Sequence, residues 1–137
     1  MPPDAAADRT FALRCIVAGA LLMFLGVVLG AFGAHALQQM LTPRQMSSYQ
    51  TGVLYQQLHA VALILVGVIA LATPASPWLP RAAVLFAAGI FFFSGSIYLM
   101  TCGAPRWLGM VAPIGGVSFM LAWLALAAHA WRARRVS

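Results

Sequence analysis

The sequence predicts an all-α membrane protein, a four-transmembrane-helix bundle with a short amphipathic helix before helix two, forming one domain over residues 1–137. Three observations predict it. Hydrophobic residues make up 63% of the chain and charged residues only 7%, whereas a soluble domain needs about 25% charged side chains to cover its surface. Four apolar runs approach the length of about 20 residues that a helix needs to cross a hydrocarbon core. The eight basic residues are all arginines, and Arg9, Arg14, Arg44, Arg81, Arg106, Arg132, Arg134 and Arg135 lie outside those runs or at their edges, where a charge reaches water or lipid phosphate.

The first run, residues 12–36, follows Arg9 and Arg14. With Ala34-His35-Ala36 as a small-x-small site it has the outline of a signal peptide, but it exceeds the apolar region of about 7–15 residues that such a leader carries. Gly19, Gly26, Gly30 and Gly33 are spaced seven, four and three apart and share one helical face. Glycines let helices approach closely in lipid, where apolar burial no longer distinguishes partner from solvent. The spacing marks a packing seam and leaves open whether it meets this chain or another copy. At about 100° per residue, His35 lies roughly opposite the seam and is expected to cap the end of the helix.

After the first run, Thr42-Pro43-Arg44-Gln45 matches an N-cap, a proline at the first helical position and a capping-box glutamine. Met46, Tyr49 and Val53 then recur at helical spacing. This predicts an amphipathic segment over 43–53 lying on the outer interface and bending at Gly52 into helix two, residues 54–72. Thr73 to Pro80, with three prolines, cannot continue a helix. Helix three follows over 82–102, the Gly103-Ala104-Pro105 break ends it, and helix four covers 108–131. Trp78, Trp107, Trp123 and Trp131 stand mostly near helix ends, as interface anchors do.

With four spans, Arg9, Arg14, Arg81, Arg132, Arg134 and Arg135 share one side and only Arg44 and Arg106 occupy the other. The excess of arginine faces the cytoplasm, so both termini are expected there and the far end is expected outside. The net charge of +6 therefore points to membrane lipid as the partner and not to nucleic acid, since no basic patch is interleaved with aromatics for base stacking.

Candidate functional residues gather toward the far end. Tyr55, Gln56 and His59 lie on one side of helix two, and Ser94, Tyr98 and Thr101 lie along helix three, with Ser96 beside them and His35 at the end of helix one. Polar side chains in lipid usually face the bundle interior. Two readings are open: a polar pocket opening outward, with His59 as its titratable group, or interhelical hydrogen bonds that set register.

Several chemistries are excluded. The only carboxylates, Asp4 and Asp8, sit in the N-terminal tail, leaving none for proton relay or sodium coordination in the membrane. No Ser-His-Asp set can be assembled there. A metal site would have to use His35, His59 and Cys102 without any motif spacing. Cys15 and Cys102 fall at opposite membrane faces, beyond the Cα separation of about 4.4–6.8 Å that a disulfide requires. No catalytic residue, metal or cofactor is assigned.

Four segments occur in order: Gly30-Ala-Phe-Gly-Ala-His-Ala-Leu37, Tyr55-Gln-Gln-Leu-His-Ala-Val-Ala-Leu63, Phe93-Ser-Gly-Ser-Ile-Tyr-Leu99 and Pro113-Ile-Gly-Gly116. Together they resemble the bacterial inner-membrane family typified by YgdD, which has a small mitochondrial transmembrane relative in animals. The resemblance covers about Cys15 to Leu126 and implies a four-helix inner-membrane protein, with no activity to carry over. It adds Gly95, Pro113, Gly115 and Gly116 to the helix-packing positions. The chain departs from the pattern at Ala112, where a threonine is expected, and in lacking a tryptophan before Tyr55.

The resulting expectation is a non-enzymatic structural or interaction subunit that binds another membrane protein, or another copy of itself, through the glycine seam. The alternative is a small-molecule binder or passive conduit using the outer polar pocket.

Overall fold

An alanine- and glycine-rich chain in lipid can pack its helices tightly, and the arrangement depends on where those small residues fall. The computed structural model describes residues 3–134, with side chains from Ala6 onward. The side chain of Asp4 and all of Arg135 lie outside the described residues. Helix α1 (Pro3–Phe32) continues through one π-helical turn, Gly33–Leu37, and α2 spans Pro43–Ala72. Helix α3, Trp78–Thr101, is interrupted by a π turn at Ile90–Ser94. A 3-10 turn, Arg106–Met110, leads into α4 (Ala112–Ala133). All four are long and apolar enough to cross a membrane, so this is a small integral membrane protein. The start of α1 and the end of α4 lie at one end of the bundle, here the terminal end; the α1–α2 and α3–α4 connections lie at the far end.

The capping signal at Thr42 holds in detail. Thr42 Oγ1 accepts from the Gln45 N–H at 3.3 Å, and Gln45 Oε1 accepts from the Thr42 N–H at 3.0 Å. Beyond the cap, the structure corrects the expectation over 43–53. There is no separate amphipathic helix: residues 43–53 are the first turns of α2, which stays α-helical through Gly52 for 30 residues. The apolar stripe faces the bundle and not the membrane surface, since Tyr49 is 3% exposed and Val53 8%. Tertiary packing keeps Gly52 helical: a Cβ there would already touch Ile97 at 3.1 Å.

The glycine seam of α1 is filled from within the chain. A Cβ at Gly19 would meet Ile64 and Ala60, one at Gly26 would meet Gln57, one at Gly30 Val53, and one at Gly33 the ring of Tyr49. The contacts run backward along α2, as an antiparallel pair requires, and Gly67 receives α1 in turn at Ala12 and Cys15. This corrects the expected use of the seam for a partner, because α2 leaves no room there for another helix. Helix α2 is the most enclosed of the four and α1 the least. The core lies where α2, α3 and α4 meet, with Ala60, Val66, Ala82, Phe86 and Ala122 fully buried.

The remaining packing positions divide. A Cβ at Gly115 would clash with Phe93, at 2.8 Å from its Cα and 2.7 Å from its Cβ, so glycine is what lets α4 lie against the π turn of α3. At Gly95 and Gly116 an added Cβ would meet nothing within 4 Å, so neither is a packing position. Pro113 is exposed at the start of α4, where its missing N–H needs no partner, and it starts the helix without packing in a seam. The adjacent pair gives an internal test. Gly115→Ala is expected to lower the unfolding free energy in detergent by about 1–3 kcal/mol through overpacking. Gly116→Ala should be neutral or raise it by up to about 1 kcal/mol through helix propensity. Equal effects in denaturant titrations followed by circular dichroism would contradict this packing.

Candidate functional site

Gln56 joins three helices. Its Nε2 donates to the carbonyl of Leu22 on α1 at 2.8 Å, and its Oε1 accepts from the Tyr98 hydroxyl of α3 at 2.8 Å. The amide is 2% exposed. Gly26 faces this bond: a Cβ there would lie in ordinary contact with Gln56 Nε2 at 3.5 Å and would press on Gln57 Cγ at 2.8 Å. One turn away, the π turn of α3 seats Ser94, fully buried, so that its hydroxyl donates to the Gly52 carbonyl at 2.7 Å. In lipid no water competes for these groups, so each bond fixes the register of the helix pair it joins.

His59 lies near the middle of α2 and points among aromatic rings. Its Nδ1 is 2.7 Å from the Tyr55 carbonyl. Because a carbonyl only accepts, Nδ1 carries a hydrogen and donates it within its own helix. The imidazole stacks on Phe119 of α4 at 3.5 Å and 9°, with Phe86, Tyr55 and Trp123 around it. The ring is a packing element between α2 and α4, as a flat aromatic side chain would be.

The other predicted residues scatter. Tyr55 is 38% exposed and stacks on Phe93 at 4.7 Å. Ser96 is buried but bonds only within α3, to the Phe93 carbonyl at 2.9 Å. His35 is exposed on the π turn of α1, away from His59. The expected cluster is therefore a core of Gln56, Ser94 and Tyr98, with His59 beside it and His35 apart. Its members face one another and the backbone, and none of Gln56, His59, Ser94 and Tyr98 lines the four recesses described along the bundle.

Three further clamps complete the network; Ser118 of helix four belongs with the polar groups expected to gather at the far end, while Tyr49, Thr73 and His129 were not expected in it. The Tyr49 hydroxyl donates to the Leu29 carbonyl at 2.6 Å, and Ser118 to the Leu85 carbonyl at 2.8 Å. At the terminal end, Thr73 Oγ1 and His129 Nε2 lie 3.2 Å apart, tying α2 to α4. Tyr49 was hidden by its place in a stripe that reads as interfacial. Ser118 and His129 sit in apolar runs where their spacing points to no particular partner.

The helices that carry this network also carry the likeness to known proteins. Residues 29–116 match the family described as protein of unknown function (DUF423). The chain belongs to the DUF423 family. The match begins at Leu29, whose carbonyl Tyr49 holds, and ends at Gly116, so it takes in all of α2 and α3. Among DUF423 relatives, the UPF0382 membrane protein SAB0533 of Staphylococcus aureus is 40% identical over 112 residues, covering 81% of this chain and 89% of the relative. The UPF0382 membrane protein YwdK of Bacillus subtilis is 37% identical over 109 residues, 80% and 89% of the two chains. The UPF0382 inner membrane protein YgdD of Escherichia coli is 36% identical over 120 residues, 88% and 91%. No solved structure matches the chain.

Proposed function

We propose that this DUF423 protein is a non-enzymatic structural and interaction subunit of the bacterial inner membrane, with both termini in the cytoplasm. The observation that carries the reading is the closed polar centre. A catalytic or ligand-holding group has to offer a proton or lone pair to a cavity. Here Gln56 and Tyr98 bond each other, Gln56 and Ser94 bond the backbone of neighbouring helices, and the His59 ring donates from Nδ1 to Tyr55 and lies among Phe86, Phe119 and Trp123. Such a network makes a rigid body, and a rigid apolar body acts through its surface.

Native mass spectrometry of the protein extracted with its surrounding lipid tests the reading. A stoichiometric second membrane protein, or a further copy of this chain, is the expected result. A lone chain carrying a small molecule that disappears in His59→Ala would overturn it.

The orientation rests on Arg9, Arg14, Arg81, Arg132 and Arg134 at the terminal end against Arg44 and Arg106 at the far end. The inner membrane is the location in the printed name of the E. coli relative. Cys102, exposed just beyond α3, reports on it. A membrane-impermeant maleimide added to intact spheroplasts should label Cys102 at once. Labelling only after permeabilisation would reverse the topology.

A further inference from the structure

At the far end, a recess of about 620 Å³ opens between the start of α2 and the end of α3. That volume lies within the roughly 300–1,000 Å³ typical of small-ligand sites. Arg44 and Gln45 reach it from the first turn of α2, and Arg106 reaches it from the connection to α4. Ile97 and Met100 form an apolar wall on the α3 side. These two are the only arginines at the far end of the bundle, and the chain has no carboxylate side chain near them, since Asp4 and Asp8 are both in the N-terminal segment.

The other arginines of the described chain near tryptophans are engaged differently. Arg81 and Arg132 lie over the Trp78 ring at 4.9 and 5.8 Å, and Arg134 over Trp131 at 3.3 Å. Among the described residues Arg44 and Arg106 have neither an ion pair nor a ring contact. The hydroxyls in the recess are occupied as donors: Ser48 bonds the Arg44 carbonyl at 3.1 Å and Thr101 the Ile97 carbonyl at 3.0 Å. Gln45 uses its Oε1 in the cap, which leaves its NH₂ to donate. The groups of the recess still free to donate are thus the two guanidinium groups and the Gln45 NH₂, so its available donors are mostly cationic. The N-terminus of the 30-residue α2 adds its positive dipole end to them.

We propose that this recess binds a phosphate anion, clamped by Arg44 and Arg106 with Gln45 as a third donor. A planar guanidinium offers paired N–H donors to phosphate oxygens, which is why arginine suits this anion. The same chemistry is presented by an anionic phospholipid headgroup and by free phosphate. The apolar wall of Ile97 and Met100 fits the lipid, whose acyl chains continue from the headgroup into the membrane. The site stands apart from the structural role proposed above and holds for either orientation of the bundle.

The test uses the full chain, delipidated in detergent and titrated by native mass spectrometry with phosphatidylglycerol, with diacylglycerol, and with inorganic phosphate. Phosphatidylglycerol adducts are expected, with diacylglycerol at least tenfold weaker. In the double variant Arg44→Gln, Arg106→Gln, phosphatidylglycerol binding should fall at least tenfold, while Arg132→Gln, Arg134→Gln changes it less than twofold. Lysine at both sites should retain part of the binding, because charge is kept and the fork is lost. Binding of inorganic phosphate with the same arginine dependence would assign the site to the soluble anion, still as a phosphate site. Equal binding of diacylglycerol, or equal losses in the two arginine pairs, would overturn the proposal. Circular dichroism of each variant separates loss of binding from loss of fold.

Discussion

Gly19→Leu is expected to part the first two helices. A Cβ at this position would lie 2.7 Å from the Ala60 carbonyl oxygen, 2.6 Å from Ile64 Cγ1 and 3.0 Å from the Ile64 nitrogen. Two of these three atoms are backbone, so no side-chain rotation relieves the clash and α1 itself has to move. Overpacking of this kind costs typically about 1–3 kcal/mol and more where the backbone is the obstacle; for leucine at Gly19 we expect the upper end, about 3 kcal/mol.

The two cysteines make the effect readable. Cys15 sits one turn earlier on α1, 6% exposed, where it packs on Gly67 of α2, whereas Cys102 is exposed. In the parent protein in detergent a small maleimide should modify Cys102 quickly and Cys15 slowly; in Gly19→Leu both should react quickly. Gly30→Ala is the matched control. Its Cβ would approach Val53 at 3.4 Å and Gln57 Nε2 at 3.9 Å, both ordinary contacts with side chains. Cys15 protection that survives Gly19→Leu would mean that α1 and α2 do not pack along this face.

The second large effect is expected at Gln56. Gln56→Leu keeps the volume and removes both bonds, leaving the Tyr98 hydroxyl without its acceptor and α1 held to α2 by the Tyr49–Leu29 bond alone among the side-chain bonds described. A buried polar group left unpaired costs about 1–3 kcal/mol, while single interhelical bonds in membranes average about 0.6 kcal/mol. About 2 kcal/mol is therefore expected for the loss of the pair. Tyr98→Phe alone should cost less, because Gln56 keeps its bond to Leu22. In a double-mutant cycle the two substitutions should couple by about 1 kcal/mol. Additivity within about 0.3 kcal/mol, measured by denaturant titration in detergent, would show that the Gln56–Tyr98 bond contributes nothing to stability.

These predictions concern residues that are only partly legible in the sequence. Gly19, Gly26, Gly30 and Gly33 could be read as a seam because their spacing projects onto one face; that α2 fills it depended on Ile64, Gln57, Val53 and Tyr49 falling opposite in antiparallel register. Gln56 was readable as a polar residue that must face inward, yet its partners are a backbone carbonyl 34 positions away and a tyrosine 42 positions away. Nothing local in the chain encodes such pairings. His59 illustrates the converse. A histidine in a membrane helix suggests chemistry, and its neighbours turned out to be aromatic rings contributed by α3 and α4.

By itself the sequence determined the class of protein, the number of spans and the start of α2. Each of these comes from the chain's own composition or local bonding: apolar length against bilayer thickness, prolines that end helices, and a capping box closed within four residues. The tertiary structure alone decided that the glycine seam faces inward, that residues 43–53 belong to a continuous helix, and that Gly115 packs while Gly116 does not. Those outcomes turn on which side chain from a distant helix arrives at a given face. In a bundle where nearly every surface is equally apolar, close approach and hydrogen bonding between helices make that choice, and both exist only once the helices have met.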